Sequence, residues 1–329
     1  MSGGASVAYR LRPNKAVDRE LFLSLLGRLG AQLRLERYAY VGLGGPFLED
    51  FRLVHARIGI DRMVCIESEE AVHRRQSFNR PIESIECVHA KLEEYLESTE
   101  FEVPVVLWLD FTEPKTVVSQ IETFARQTCE LPINSIVRVT LNANPTSLGK
   151  PPAKNLAVAL PGEEKAGGAE TELEWRLARF KERLGGNAPA GLIPDAMTHR
   201  NYGGSLLEAL RLCAEREILD HPERKLVWAL ATHYSDGQAM VTATAVVVAD
   251  GDEQVGAIVA EWPYASTPQE PLRLDLPALS TIERLTMEST TDPKARMGYD
   301  LPVSDMGEDP FEAFRRFYRV FPHFARVDF

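Results

Sequence analysis

Four short stretches of this chain combine side chains and spacing that could do chemistry. Tyr40-Val41-Gly42-Leu43-Gly44-Gly45-Pro46 joins an apolar run to a helical pattern. Glycines at such a junction let the main chain turn tightly and come close to a ligand, and Pro46 suits a first helical position, where no N–H is needed. Glu67 closes the next apolar run, 22 residues after Gly45. A carboxylate there can accept both hydroxyls of a ribose lying across a sheet; the plainer reading is a solvated acid of Glu67-Ser68-Glu69-Glu70. His89-Ala90-Lys91 ends the third run, where backbone groups could meet an adenine edge. Asp110 ends the most apolar run of all, Val105-Val106-Leu107-Trp108-Leu109. An acid in that place must be solvated by a cleft or paired, because isolated burial is costly.

A reaction that moves a proton also needs a base, and the candidates are Asp110, His199 and His233. His233 ends a β-rich run on the side of the other candidates, although a hydrogen-bonded structural histidine fits that place too. His199 lies in the polar loop Thr198-His199-Arg200-Asn201-Tyr202-Gly203-Gly204, which could close over a substrate or be ordinary loop. Asn142 and Asn144 could line the same pocket, but without a second acid beside Asp110 no metal site is expected. Glu113 reads as a cap for the following helix. The cationic Arg10-Leu11-Arg12-Pro13-Asn14-Lys15 could fold over a carboxylate or a phosphate, and Arg74-Arg75-Gln76-Ser77-Phe78-Asn79-Arg80 could do the same; both could equally be solvated faces.

The elements that must position these residues alternate. Val17–Leu35 has leucines at helical spacing. Strands are expected at Arg37–Gly42, Asp61–Glu67, Ile85–His89, Pro104–Asp110 and Ser135–Leu141. Helices intervene: from Pro46 to Gly59, over Glu69–Phe78, Leu92–Leu96 and Lys115–Thr128. Such alternation predicts βαβ units and a parallel sheet covered on both faces. Asn144–Gly168 is rich in proline and glycine and reads as loop. Helices follow over Glu170–Leu184 and Ser205–Leu219, the second with Ser205 and Glu208 spaced as a capping box. Leu226–Tyr234 and Ala239–Val248 flank Ser235-Asp236-Gly237-Gln238 and predict a β-hairpin. Further on lie a possible strand (Val255–Ala260), a short helix (Leu279–Met287) and an aromatic tail, Phe311–Phe329. The tail is expected to dock on the core or to offer a surface to a second copy or a partner protein.

The 329 residues are 44% hydrophobic and 26% charged, with 37 Lys+Arg against 48 Asp+Glu for a net charge of −11. This excludes a disordered or collagen-like chain. Net acidity, concentrated in residues 250–329, argues against duplex nucleic acid as a partner. The four cysteines, Cys65, Cys87, Cys129 and Cys213, form no CxxC pair, and three read as small buried hydrophobes. Met1–Arg10 carries no secretory pattern, and no apolar run reaches the ~18 residues that span a bilayer. A soluble cytoplasmic protein with no membrane partner is therefore expected.

Five βα-type units, an acid after strand two, another after strand four and a closing antiparallel hairpin together resemble a class I S-adenosylmethionine-dependent methyltransferase. The resemblance covers about residues 38–145 and 225–249, and leans toward uncharacterised bacterial O-methyltransferase-like proteins in Ile66-Glu67 and Leu109-Asp110-Phe111. It implies a Rossmann-like α/β fold with a mostly parallel seven-stranded sheet, helices on both faces, and S-adenosylmethionine as cofactor. Carried onto this chain, Gly42, Gly44 and Gly45 pass the methionine part, Glu67 holds the ribose, Ala90 and Lys91 lie on the adenine side, and Asp110 is the strand-four acid. Two features depart from the family pattern: Gly44 and Gly45 are adjacent with Pro46 in the third glycine place, and Tyr40 stands where an acid is common. Phe111 and Thr112 occupy the proline places of the signature for amino-group DNA methylation.

The expected organisation is an N-terminal helical segment (1–37), a core (38–249) with an insertion at about 145–224, and a C-terminal extension (250–329). The expected activity is methyl transfer from S-adenosylmethionine to an unknown acceptor, a small molecule or a protein, with O-methylation in view. Two rivals stay open: a non-catalytic cofactor-sensing or scaffolding protein on the same fold, and an NAD-dependent oxidoreductase, for which glycines followed by an acid also serve. The hairpin separates the second, since dinucleotide enzymes usually end on a parallel strand.

Overall fold

In the computed structural model, residues 13–151, 171–304 and 306–321 are described. Five strands run parallel: β1 (Ala39–Leu43), β2 (Arg62–Glu67), β3 (Ile85–His89), β4 (Val105–Asp110) and β5 (Ile136–Asn142). The hairpin β6 (Arg224–Ser235) and β7 (Ala239–Ala249) joins through an antiparallel β5–β7 pair. The expected seven strands become eight, because β8 (Leu272–Leu274) adds a short edge parallel to β6. The strand order is β3-β2-β1-β4-β5-β7-β6-β8. The chain reverses its direction of travel across the sheet between β1 and β4, and in open α/β sheets ligands bind beyond the strand ends at such a switch point.

One face of the sheet is covered by α1 (Pro13–Leu33) and α2 (Glu49–Ile58). Val17, Leu21, Phe22, Leu25, Leu26 and Leu29 of α1 are all fully buried, in one apolar cluster with Phe51, Trp108 and Tyr234. Each such side chain contributes about 1.5–3 kcal/mol. The other face is covered by α5 (Val117–Glu130) and α7 (Tyr202–Ile218), whose Phe124, Leu206 and Leu210 pack against Val137, Val139 and Ala243. Between β2 and β4 lie α3 (Glu70–Asn79) and α4 (Leu92–Ser98), and α6 (Glu172–Leu184) precedes α7. No helix among the described residues is long and apolar enough to cross a membrane.

Three local expectations change. α2 begins at Glu49 and not at Pro46, because the chain first makes a turn closed by Leu48 in the left-handed region (φ 51°). Ser205 is not a cap but lies inside α7, which starts from Asn201 one turn earlier. Val255–Ala260 is no strand: it belongs to α8 (Gln254–Ala260), which buries Val255 and Val259 at helical spacing. The helix expected at Leu279–Met287 is α9 (Thr281–Ser289), capped by Ser280 and Glu283; α10 (Pro293–Met297) follows it. Of the aromatic tail, α11 (Pro310–Phe317) buries Phe311, Phe314 and Phe317 in the same cluster as α1, with Phe321 beside them. Residues 322–329 lie outside the described ones.

Candidate active site

Strand register brings the predicted residues to one edge. Leu43 lies opposite Ile66 and Gly42 opposite Trp108, so extending the register by one residue and by two brings Gly44 level with Glu67 and with Asp110. At about 4.8 Å between strands, the two acids flank the glycine turn with main chains roughly 10 Å apart. Both project from the α1 face, because Cys65 and Trp108, two residues before them, are buried there and strand side chains alternate.

The glycine turn is held from below. The Gln76 side chain of α3 donates to the Gly44 carbonyl, and Asn79 donates to the Pro46 carbonyl at 2.8 Å. A Cβ on Gly44 would stand 2.7 Å from Leu48 Cδ2 and 2.9 Å from Cys65 Sγ, closer than a packed interior allows. A Cβ on Gly42 would stand 3.2 Å from the Trp108 carbonyl oxygen. These two glycines therefore let α2 and β4 close on the turn, which brings the main chain to the sheet's edge. Gly45 follows, half-buried.

Glu67 is half-buried, and one carboxylate oxygen accepts the Glu69 N–H at 2.8 Å. That bond fixes the carboxylate at the strand end. The Ala90 N–H donates to the Glu67 carbonyl at 3.1 Å, tying the ends of β2 and β3 together. The Lys91 ammonium turns away to Glu94 at 3.0 Å. On this side Ala90 offers its methyl and carbonyl, while the His89 ring is bound to the Ser68 carbonyl.

Asp110 is paired. The Lys15 ammonium stands 3.8 Å from its Oδ2, with side-chain exposures of 17% and 23%, so water and a ligand can still reach both charges. Lys15 is brought there by the start of α1. Its N–H donates to the Asp236 carboxylate at 2.8 Å, and the Asn14 amide donates to the same carboxylate and to the Ser235 carbonyl, each at 3.0 Å. The hairpin turn thus satisfies the first amides of α1, which have no partner within the helix. One turn on, buried Asp18 accepts from Arg138 at 2.6 Å and from Thr232 at 2.7 Å. Arg138 also donates to Thr244 at 2.8 Å, and its guanidinium lies over the Phe22 and Trp108 rings.

His233 is not brought to Asp110. Thr232 faces Asp18 under α1, so His233, the next residue on β6, projects to the opposite face. It is 1% exposed, Nε2 lacks a partner, and a Cβ on Gly203 of α7 would stand 2.7 Å from its ring. Burial, aided by the Arg273 charge, pushes its pKa down to about 4. This favours a neutral packed ring over a base for an acceptor at the other face. Between pH 6.5 and 4 the unfolded chain binds the proton that the folded chain refuses, so stability falls as pH falls through that window. Relative to wild type, His233→Gln is expected to remove roughly 2 kcal/mol of the loss between pH 7 and pH 5, read by urea unfolding. His199 is exposed in the turn before α7. Asn142 is used internally, donating to the Thr112 carbonyl at 3.0 Å, and Asn144 caps the turn at Pro145–Leu148.

The donor set fits an S-adenosyl ligand: a fixed carboxylate at Glu67 able to take a ribose diol, half-buried main chain at Leu43 and Gly45 of the switch point, and a pair of opposite charges at Asp110 and Lys15. A family model described as "Putative O-methyltransferase" matches residues 7–329. No curated protein matches the chain. Among solved structures, the chain is similar to the N-methyltransferase NodS from Bradyrhizobium japonicum (9% identity, 70% of this chain and 97% of that one, TM-score 0.37). It is also similar to the plantazolicin methyltransferase BamL in complex with SAH (12%, 72% and 87%, 0.37) and to an rRNA methylase from Streptococcus thermophilus (9%, 69% and 95%, 0.33). With nearly its whole length matched, the chain belongs to this O-methyltransferase family.

Proposed function

We propose that the chain methylates an oxygen of a small-molecule or protein acceptor, with Glu67 and Asp110 on either side of the glycine turn holding the donor. The alignment of Glu67, Gly44 and Asp110 on one face of the switch point carries this reading. S-adenosylmethionine, when bound, supplies an electrophilic methyl group and its leaving group. The chain's own residues orient the donor and exclude water, so that most of the rate comes from alignment. The acceptor enters from the side of α1 and the hairpin turn, where Asp236 and Asp110 are half-exposed.

Isothermal titration with S-adenosylhomocysteine is expected to give binding in the micromolar range or tighter. Absence of heat at millimolar ligand, in folded protein, overturns the reading. Release of S-adenosylhomocysteine on incubating the protein with S-adenosylmethionine and a hydroxylated acceptor separates an enzyme from a cofactor sensor.

A further inference from the structure

Arg273, the middle residue of β8, stands directly opposite His233 of β6. Its side chain is half-buried, and Nη1 is buried with no acceptor. His233 Nε2, pinned under Gly203, does not bond it, and no carboxylate among the described residues pairs with it. Buried polar groups almost always have a partner, and a stranded charge is the costlier exception. The same side chain lines a cavity of about 380 Å³ at the sheet's edge, together with Glu308, Glu312, Arg315, Arg316 and Phe317 from the segment around α11. That wall is built onto β8: Asp275, the residue after the strand and only 8% exposed, accepts from the Ser304 hydroxyl and from the Glu308 N–H at 3.2 Å.

The charges around the cavity are not evenly spent. Arg315 is bound to Glu312 at 3.0 Å and to the Thr291 carbonyl. Arg316 lies over the Phe317 ring and has no carboxylate partner among the described residues. Two cations, Arg273 and Arg316, are therefore left in a chain whose net charge is −11. We infer that this cavity is a binding site for a small oxyanion ligand, a carboxylate or a phosphate, held on the Arg273 guanidinium with Arg316 as the second cation. A guanidinium presents parallel N–H donors that match either group, and the volume suits a small ligand. Glu308 and Glu312 on the same wall disfavour a polyanion and favour a ligand that also carries hydroxyl or ammonium donors. β8 is four strands from β4 in the sheet, which at ~4.8 Å per strand places Arg273 roughly 20 Å from Asp110. The site is thus separate from the donor edge and does not depend on the methyl-transfer reading.

The test is isothermal titration and thermal unfolding of the full chain with sodium phosphate and sodium malonate, against sodium chloride at equal ionic strength. Wild type is expected to bind at least one of the two anions with millimolar affinity or tighter. Arg273→Gln is expected to weaken that binding by about 10- to 100-fold. Without ligand, its unfolding midpoint should be unchanged or higher, since the variant removes a buried cation without a counter-charge. Arg273→Lys keeps the charge, loses the fork and should fall in between, and it decides the matter should Arg273→Gln not fold. S-adenosylhomocysteine is expected to bind wild type and Arg273→Gln equally. Preference for phosphate assigns a phosphoryl group and preference for malonate a carboxylate; either supports the site. Neither anion acting beyond sodium chloride overturns the inference. So does equal anion binding by wild type and the Arg273 variants, which marks ions adsorbed elsewhere on the surface.

Discussion

Asp18→Ala is expected to lower the unfolding free energy by about 3–5 kcal/mol, because it strands the Arg138 charge in the interior. Both partners are effectively without solvent contact, at 0% and 2% side-chain exposure. Arg138 sits in the middle of β5, a strand buried along its whole length, and its other contacts are Thr244 and two aromatic faces. None of these neutralises a charge. Arg138→Met should cost less, since the Thr232 and Thr242 hydroxyls still share the Asp18 carboxylate, although that carboxylate then loses its counter-charge. In the double variant Asp18→Ala, Arg138→Met the two hydroxyls remain bonded to each other at 2.7 Å. It should therefore be less destabilised than the two single changes added together, by 2 kcal/mol or so in a urea-unfolding cycle. Strict additivity would show that the pair is not coupled.

Glu67→Ala is expected to weaken S-adenosylhomocysteine and 5′-methylthioadenosine alike, by about 100-fold, with little change in unfolding free energy. Two hydroxyl donors to one carboxylate are worth about 1.5–3 kcal/mol each at most, and part of that is regained through water, hence two decades and not four. The variant loses only the Glu69 N–H bond within the protein, and that amide is exposed and can turn to water. Glu67→Gln keeps one acceptor and should fall in between. Because Glu67 is predicted to act on the sugar, it affects both probes. Equal binding by wild type and Glu67→Ala would remove the ribose assignment.

The core of the fold was legible because its signals are local. Val105–Leu109 and Ser135–Leu141 are apolar runs of strand length, and the Asp236-Gly237 turn names its own hairpin. The acids at strand ends could be placed by counting. What stayed hidden depends on contacts far apart in sequence. β8 is three residues long and exists because β6 offers an edge. Val255–Ala260 has apolar residues for either element, and docking of Val255 and Val259 decides for helix. Pro46 suits a helix start, but the tight packing of Leu48 and Phe51 on Gly44 pushes that start three residues on. His233 has the right type at a strand end, yet strand parity turns it away from Asp110. Lys15 was visible as part of a cationic stretch, while its partner Asp110, 95 residues on, was not. Two signals pointed to the buried pair: an arginine in the middle of Ile136-Val137-Arg138-Val139, and an aspartate one turn after Asn14 on a leucine-rich helix.

The seating of α1 also has a consequence for the order of events during translation. α1 leaves the ribosome well before its polar partners, the Asp236 turn and the Leu276 amide, which lie 221 and 262 positions later. At about 5–20 residues per second, this helix waits roughly 10–50 s for the segments that seat it. Until then Lys15 cannot be held beside Asp110, so nascent or prematurely terminated chains would lack a finished donor pocket.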